Sequence, residues 1–231
     1  MKALVTVTSL LLATALLLVG HGMQLTLLPL RAGLNGVSEL IIGAGAAFYF
    51  LGFIAGCLLI PRLIARVGHI RCFAVLAALM ISAVLLLEVF DDWRLWLLLR
   101  LLTGVAICGL YAVIESWLTS QSSSESRGQV LAIYTFITLA AMTVGQFMIN
   151  VGPIEDSTPF ILAAVFIALA IIPVGLTRRM APAAVEPTRS GLRLLYQRSH
   201  SAFFGALLSG LVVGGFWALG AVFASHGGGD Q

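Results

Sequence analysis

The chain has 231 residues, of which 60% are hydrophobic and only 10% carry a charge. Soluble domains contain about 25% charged residues, so this chain has too few polar side chains to cover a water-exposed globule. The formal net charge of +3 does not indicate a nucleic-acid partner, because the basic residues lie in the gaps between apolar runs. Composition therefore predicts an integral membrane protein in contact with the lipid bilayer.

Seven apolar runs are long enough to cross a bilayer as helices, for which about 20 residues are needed. The predicted spans cover residues 3–28, 40–60, 72–89, 95–118, 130–149, 159–176 and 202–224. The first run is longer than the apolar core of a signal peptide and no clear cleavage site follows it, so we expect a retained helix. The predicted fold class is an all-α membrane protein.

The spacing of the runs predicts three parts. Residues 1–176 hold six spans joined by short links, which is typical of neighbouring antiparallel helices. Residues 177–201 form a longer polar connector, and residues 202–231 hold a seventh span and a short tail. Within the connector, the segment SGLRLLYQRSH fits either a short basic helix on the inner membrane surface or a linker with a few leucines.

Lysines and arginines indicate the orientation, because cytoplasmic loops carry an excess of both. The loops on one side of the membrane hold Arg31 and Arg94. The segments on the other side hold Lys2, Arg62, Arg66, Arg71, Arg127, Arg178, Arg179, Arg189, Arg193 and Arg198. We therefore predict a multi-pass protein of the bacterial cytoplasmic (inner) membrane with a cytoplasmic N-terminus.

The fourth predicted span carries two charges that are costly inside a bilayer, Arg100 and Glu115. With Gly104, Cys108 and Tyr111 they recur every three or four residues, which places all five on one helix face. Arg100 and Glu115 lie about 22 Å apart along the helix axis and cannot pair directly. Either both line a hydrated cavity, or Arg100 extends towards the outer surface and Glu115 lies among the inner headgroups.

Other polar side chains are candidates for the same cavity. The fifth span has a polar face that includes Thr138 and Gln146, and the first span carries His21 and Gln24 in its outer half. For all four, hydrogen bonding between packed helices is the alternative to cavity lining. His21 is also a candidate for proton transfer, because histidine titrates near neutral pH.

Glycines and tryptophans add expectations about packing. Gly52 and Gly56 form a GxxxG pattern that lets two helices approach closely, with a gating role for that contact as the alternative. The tryptophans that bracket the fourth span are predicted to be anchors at the two membrane interfaces. They are Trp93, Trp96 and Trp117.

The sequence contains no constellation that predicts an enzyme. No carboxylate pair accompanies a histidine, no nucleophile motif is present, and no glycine-rich phosphate loop occurs. The three cysteines, Cys57, Cys72 and Cys108, have no paired spacing and predict neither a metal site nor a disulfide framework. We expect each to be a packing residue, and we expect no cofactor.

The loop PRLIARVGHIR and the stretch RLLTGVAICG resemble two signatures of the major facilitator superfamily. In the loop, Arg66, Gly68 and Arg71 match the G-x-x-x-D-R-x-G-R-R pattern, whereas Pro61 and Ala65 replace its first glycine and its aspartate. The resemblance implies that this loop takes part in gating, although the missing aspartate departs from the usual charge relay. It also implies that the arginine of the fourth helix faces a central cavity.

Within that superfamily the chain resembles the YcaD-like permeases, through GVAICGLYAVIESWL, ESRGQVLAIYTF, VGQF and LSGLVVGGFWAL. The resemblance implies a twelve-helix permease of two halves that moves a small-molecule solute by alternating access around a midplane site. Ion or substrate gradients drive such transport, and a proton is a candidate coupling ion. The fifth span has Gly145-Gln146 where antiporters have a glycine-proline pair, which lowers the expectation of proton antiport. The resemblance matches the first six helices and helix 7, so we expect a truncated or partial sequence. The alternative is a non-transporting half-bundle or assembly subunit that associates with a second half or another copy.

Overall fold

The computed structural model describes residues 2–90, 92–177 and 196–227, with side chains described from residue 7 to residue 214 within those ranges. The described parts contain seven long α-helices and no strand. They are α1 Lys2–Leu34, α2 Glu39–Val67, α3 His69–Val89, α4 Trp93–Gln121, α5 Arg127–Met148, α6 Thr158–Gly175 and α7 His200–Gly227. A short 3-10 helix, Ile149–Val151, follows α5.

Helices α1 to α6 are each long and apolar enough to cross a membrane, so the predicted all-α fold with six spans is confirmed. Most of these helices extend beyond the predicted limits. For example, α2 continues through Pro61 to Val67. The seventh predicted span falls within α7, and its crossing of the membrane stays a prediction.

The chain forms two compact units, residues 1–185 and residues 186–231. The first contains α1 to α6 and the second contains α7. Most of the predicted connector, including the first six residues of the segment 190–200, lies outside the described residues. The boundaries between the three predicted parts therefore stay predictions.

Two helices, α1 and α4, form the centre of the six-helix unit. In their most apolar stretches 67% and 61% of the residues are buried, compared with 17% in α5. Helix α1 packs against α5 and α6, whereas α4 packs against α2 and α3. The polar side chains of His21 and Gln24 on α1 and of Arg100 on α4 are therefore enclosed by neighbouring helices.

Glycine allows α2 and α4 to approach until their backbones touch. A side chain at Gly52 would overlap the carbonyl group of Leu101, and one at Gly104 would overlap the carbonyl oxygen of Tyr49. A Cβ atom at Gly56 would lie 2.8 Å from the Cβ of Cys108. The close approach that the GxxxG pattern predicts is confirmed, and its partner is α4.

The interpretation of all three tryptophans as interface anchors is wrong for Trp117. Its side chain is fully buried, and its ring lies 6.1 Å from that of His69. Trp96 places its ring edge against Gly45 of α2, and Trp93 alone keeps a largely exposed side chain, at 45%. The physical reason is that α4 is central, so α2 and α3 cover side chains that would otherwise face the headgroups.

An ionic contact joins the ends of three segments at one side of the bundle. The Arg31 guanidinium donates to the carbonyl of Ile154 at 3.0 Å and lies 3.8 Å from a carboxylate oxygen of Glu88. The Ser157 hydroxyl donates to that same oxygen at 2.6 Å. Helices α1 and α3 and the link before α6 are thereby connected at this end.

Candidate functional site

Arg100 lies on α4 and points into the bundle. Only 6% of its surface is exposed, and its guanidinium carbon lies 4.8 Å from the centre of the Tyr49 ring on α2. Its Nε and Nη1 atoms have no hydrogen-bond partner. Within residues 7–90, 92–177 and 196–214, no carboxylate lies within ion-pair distance of Arg100. The alternative in which Arg100 extends outward to the surface does not match this placement.

Tyr49 connects Arg100 to α1. Its hydroxyl lies 3.2 Å from the Nε2 of His21, and the two rings are stacked with their centres 6.1 Å apart. His21 keeps only 2% of its surface exposed. Three buried polar side chains from α1, α2 and α4 therefore form one chain of contacts across the centre of the unit.

Gln24 extends this group along α1. It lies three residues after His21, hence on the same helix face, and is 99% buried. Neither its amide oxygen nor its amide nitrogen has a hydrogen-bond partner. We call His21, Gln24, Tyr49 and Arg100 the Arg100 cluster. It holds more donors and acceptors than its own contacts use.

Glu115 lies nearer the other end of the same α4 face and is exposed. One of its carboxylate oxygens accepts a hydrogen bond of 3.0 Å from the Tyr134 hydroxyl on α5. Tyr111 also reaches α5, where its hydroxyl lies 4.0 Å from the sulfur of Met142. The structure thus places Arg100 against α2 and Glu115 against α5, and it does not bring the two charges together.

The other predicted residues of α5 lie apart from these contacts. Thr138 and Gln146 are both partly buried. In the part of the chain that the structure describes, neither makes a hydrogen bond to the Arg100 cluster. Thr135 is exposed, and its hydroxyl bonds to the carbonyl of Leu131 in its own helix. On the predicted polar face of α5, Thr138 and Gln146 are therefore partly covered by the bundle, whereas Thr135 is exposed on its surface.

The predicted gating loop is a tight link between α2 and α3. Gly68 ends α2 with a φ of 80°, a conformation that side chains with a Cβ rarely adopt, and its N–H bonds to the carbonyl of Ile64. Arg66 and Arg71 are exposed, and neither forms an ion pair with a described residue. Beside them, the buried His69 contacts the Ser116 hydroxyl at 3.0 Å.

Arg100 and Gln24 place polar atoms without hydrogen-bond partners inside the six-helix unit. No group of three metal-ligating side chains occurs among the described residues. Arg100 instead offers a permanent positive charge with free N–H donors, and Gln24 offers an amide. A guanidinium fork matches the geometry of carboxylate and phosphate groups.

A family model described as the Major Facilitator Superfamily matches residues 10–229. The chain belongs to this superfamily. It is accordingly an integral, multi-pass membrane protein of a family of transporters, as the resemblance of its motifs predicted. The match covers most of α1 and all of α2 to α7.

Curated relatives give the same family. The chain is 25% identical over 205 residues to an uncharacterised MFS-type transporter of Enterobacter sp. (strain 638), covering 88% of this chain and 54% of that protein. It is 24% identical over 205 residues to the uncharacterised MFS-type transporter YcaD of Escherichia fergusonii, with the same coverage. The chain thus spans about half the length of the curated relatives it matches.

A solved structure shares the fold. The crystal structure of a variant of the nucleoside transporter NupG superimposes with a TM-score of 0.75 at 10% sequence identity. The match covers 93% of this chain and 57% of that one. At this identity the likeness shows the fold alone.

Proposed function

We propose that this chain is the first half of a secondary transporter that moves a small anionic solute by alternating access. Membership of a transporter superfamily supports this proposal. The coverage of about half of each curated relative supports a second half, supplied by further helices or by another chain. Alternating access requires two halves that rock against each other around a site near the membrane midplane.

The unpaired guanidinium of Arg100 is the observation that carries the proposal. A buried arginine normally has a carboxylate partner or a full set of hydrogen bonds, because desolvating the charge is expensive. Among the described residues, Arg100 has the Tyr49 ring and no carboxylate, and two of its nitrogens have no hydrogen-bond partner. An anionic group of the solute would supply the missing charge, with His21 and Gln24 as further polar contacts.

Glu115 is our candidate for exchange of a coupling proton. It is exposed on the same α4 face as Arg100, and its carboxylate accepts one hydrogen bond, from the Tyr134 hydroxyl. Tyr111, Thr138 and Gln146 are proposed to line the path between the two charges. Arg66, Gly68 and Arg71 are proposed to gate the cytoplasmic end.

The location proposed for the protein is the bacterial inner membrane, with the N-terminus in the cytoplasm. The ten-to-two distribution of lysine and arginine between the two sides supports this orientation. In this orientation Arg100 lies in the outer half of the bilayer and Glu115 in the inner half.

A binding screen with the purified chain in lipid nanodiscs tests the solute class. The probes are lactate, succinate, citrate and inorganic phosphate, each beside an uncharged counterpart such as lactamide or succinamide, and uridine as an uncharged nucleoside. The proposal predicts saturable binding of at least one anion and none of its uncharged counterpart. Binding of uridine alone would overturn the anion assignment. Binding of no probe would favour the alternative of a half-bundle without transport activity.

A further inference from the structure

Two of the three cysteines meet between α2 and α4. The sulfur atoms of Cys57 and Cys108 lie 3.5 Å apart, although the residues are 51 positions apart in the chain. Both are free thiols. Cys57 is exposed, and Cys108 retains 5% of its surface. One member of the pair therefore lies at the surface of the six-helix unit, and the other is held beside it.

The glycine contacts described above bring the backbones of α2 and α4 together beside the two cysteines. A disulfide needs Cα atoms about 4.4–6.8 Å apart and Cβ atoms about 3.5–4.5 Å apart. Gly56 precedes Cys57 and lies against Cys108, while Gly52 and Gly104 bring the flanking turns of the two helices into backbone contact. The helices thus touch at the level where the two sulfur atoms lie 3.5 Å apart.

We propose that Cys57 and Cys108 form a reversible redox-modification site that closes to an intramolecular disulfide when a peroxide is present. The Cys57 sulfur attacks one peroxide oxygen and the O–O bond breaks. Cys57 becomes a sulfenic acid, and its thiol proton leaves with the other peroxide oxygen as one water. The Cys108 sulfur then attacks the Cys57 sulfur, and the sulfenic hydroxyl leaves as a second water. In total, two thiols and one hydrogen peroxide give one disulfide and two waters.

The bond would fix α2 to α4 about two turns from the Arg100 cluster, because Cys108 follows Arg100 by eight residues on the same helix face. The third cysteine provides an internal reference. Cys72 lies on α3 with none of its surface exposed, and it belongs to the apolar core. It should therefore keep its thiol while the pair is oxidised.

Thiol counting on the full purified chain tests the proposal. The protein in detergent micelles is treated with hydrogen peroxide, quenched, denatured and labelled with a maleimide, and the intact mass gives the number of labels. We expect the wild type to fall from three labels to one and to return to three after dithiothreitol. The matched control Cys72→Ser should fall from two labels to none, whereas Cys57→Ser should keep two.

Peptide mapping of the oxidised wild type keeps the test valid even if a variant fails to fold. The proposal predicts one linked peptide pair that contains Cys57 and Cys108. It is overturned by three retained thiols, by disulfide-linked dimers, or by irreversible oxidation of Cys57 with Cys108 still labelled. Each of these outcomes would mean that the two sulfurs do not close on each other.

Discussion

At the scale of single residues, the centre of the bundle is defined by a charge without a counter-charge among the described side chains. An arginine near the middle of a transmembrane helix costs about 2.5–3.5 kcal/mol on insertion scales. The Tyr49 ring beneath Arg100 offsets part of this, because a desolvated cation–π contact contributes about 2 kcal/mol. Retaining such a residue is expensive unless its charge is used, and this is why Arg100 is central to the proposed function.

Two substitutions at Tyr49 distinguish the contribution of its hydroxyl to stability from that of its ring. Tyr49→Phe removes the contact with His21 and should lower the free energy of unfolding by about 0.5–1.5 kcal/mol. Tyr49→Leu also removes the ring under Arg100 and should cost a further 0.5–2 kcal/mol, roughly. Denaturant unfolding in mixed micelles measures both. Equal stability of the two variants would mean that the ring contributes nothing to holding Arg100.

We expect removal of the Glu115 charge to lower stability less than removal of the oxygen that accepts the Tyr134 hydrogen bond. Glu115→Gln retains a carbonyl oxygen for the Tyr134 hydroxyl and should leave the thermal midpoint nearly unchanged. Glu115→Leu leaves that hydroxyl, on a residue only 6% exposed, without an acceptor and should cost about 1–3 kcal/mol. Thermal unfolding of both variants in one detergent checks this, and a Gln variant as unstable as the Leu variant would contradict it.

At the scale of helices, the contact between α2 and α4 positions both Tyr49 under Arg100 and Cys57 beside Cys108. Hydropathy predicts which segments are helices, because length and apolar character are local properties. It does not predict which side of α2 meets which side of α4. For this reason the Arg100–Tyr49 contact, the Glu115–Tyr134 bond and the cysteine pair were not predicted. The same cause explains the error at Trp117.

Alanine substitutions at two glycines of α2 test the backbone contact between α2 and α4. Gly52 lies in the contact, and Gly43 serves as the control. Gly52→Ala places a methyl group against the Leu101 carbonyl and should destabilise the bundle by about 1–3 kcal/mol. At Gly43, also on α2, an added Cβ meets no atom within 4 Å. Gly43→Ala should therefore be neutral or stabilise by up to about 1 kcal/mol, through helix propensity. Unfolding midpoints that shift equally in both variants would contradict the backbone contact.

At the scale of the whole molecule, both the superfamily and six of the helices could be predicted from the sequence alone. A charged side chain is costly inside a bilayer, and this predicts that Arg100 faces the interior of the bundle. Its buried placement agrees with that prediction. Among α1 to α6 the least buried helix is α5, whose exposed apolar side chains include Phe136, Leu139 and Phe147. The proposed second half would cover such a face, together with the exposed Glu115.

The proposed orientation can be tested with reporter fusions. Alkaline phosphatase is active only outside the cytoplasm, so a fusion after residue 36, in the link between α1 and α2, should be active. Fusions after residue 68 and after residue 124, in the links that follow α2 and α4, should be inactive. The opposite pattern would place the N-terminus outside and reverse the assigned depths of Arg100 and Glu115.

The central claim, that Arg100 holds the anionic group of the solute, is tested most directly by the affinity of variants for the anion selected in the binding screen. Arg94 provides the matched control, because it lies on the same helix with its guanidinium 5.3 Å from the Trp93 ring but is exposed at the helix end. Arg100→Ala should weaken binding at least tenfold, which corresponds to about 1.4 kcal/mol, while Arg94→Ala leaves it unchanged. Equal affinity of wild type and Arg100→Ala, at equal folded yield, would contradict the claim.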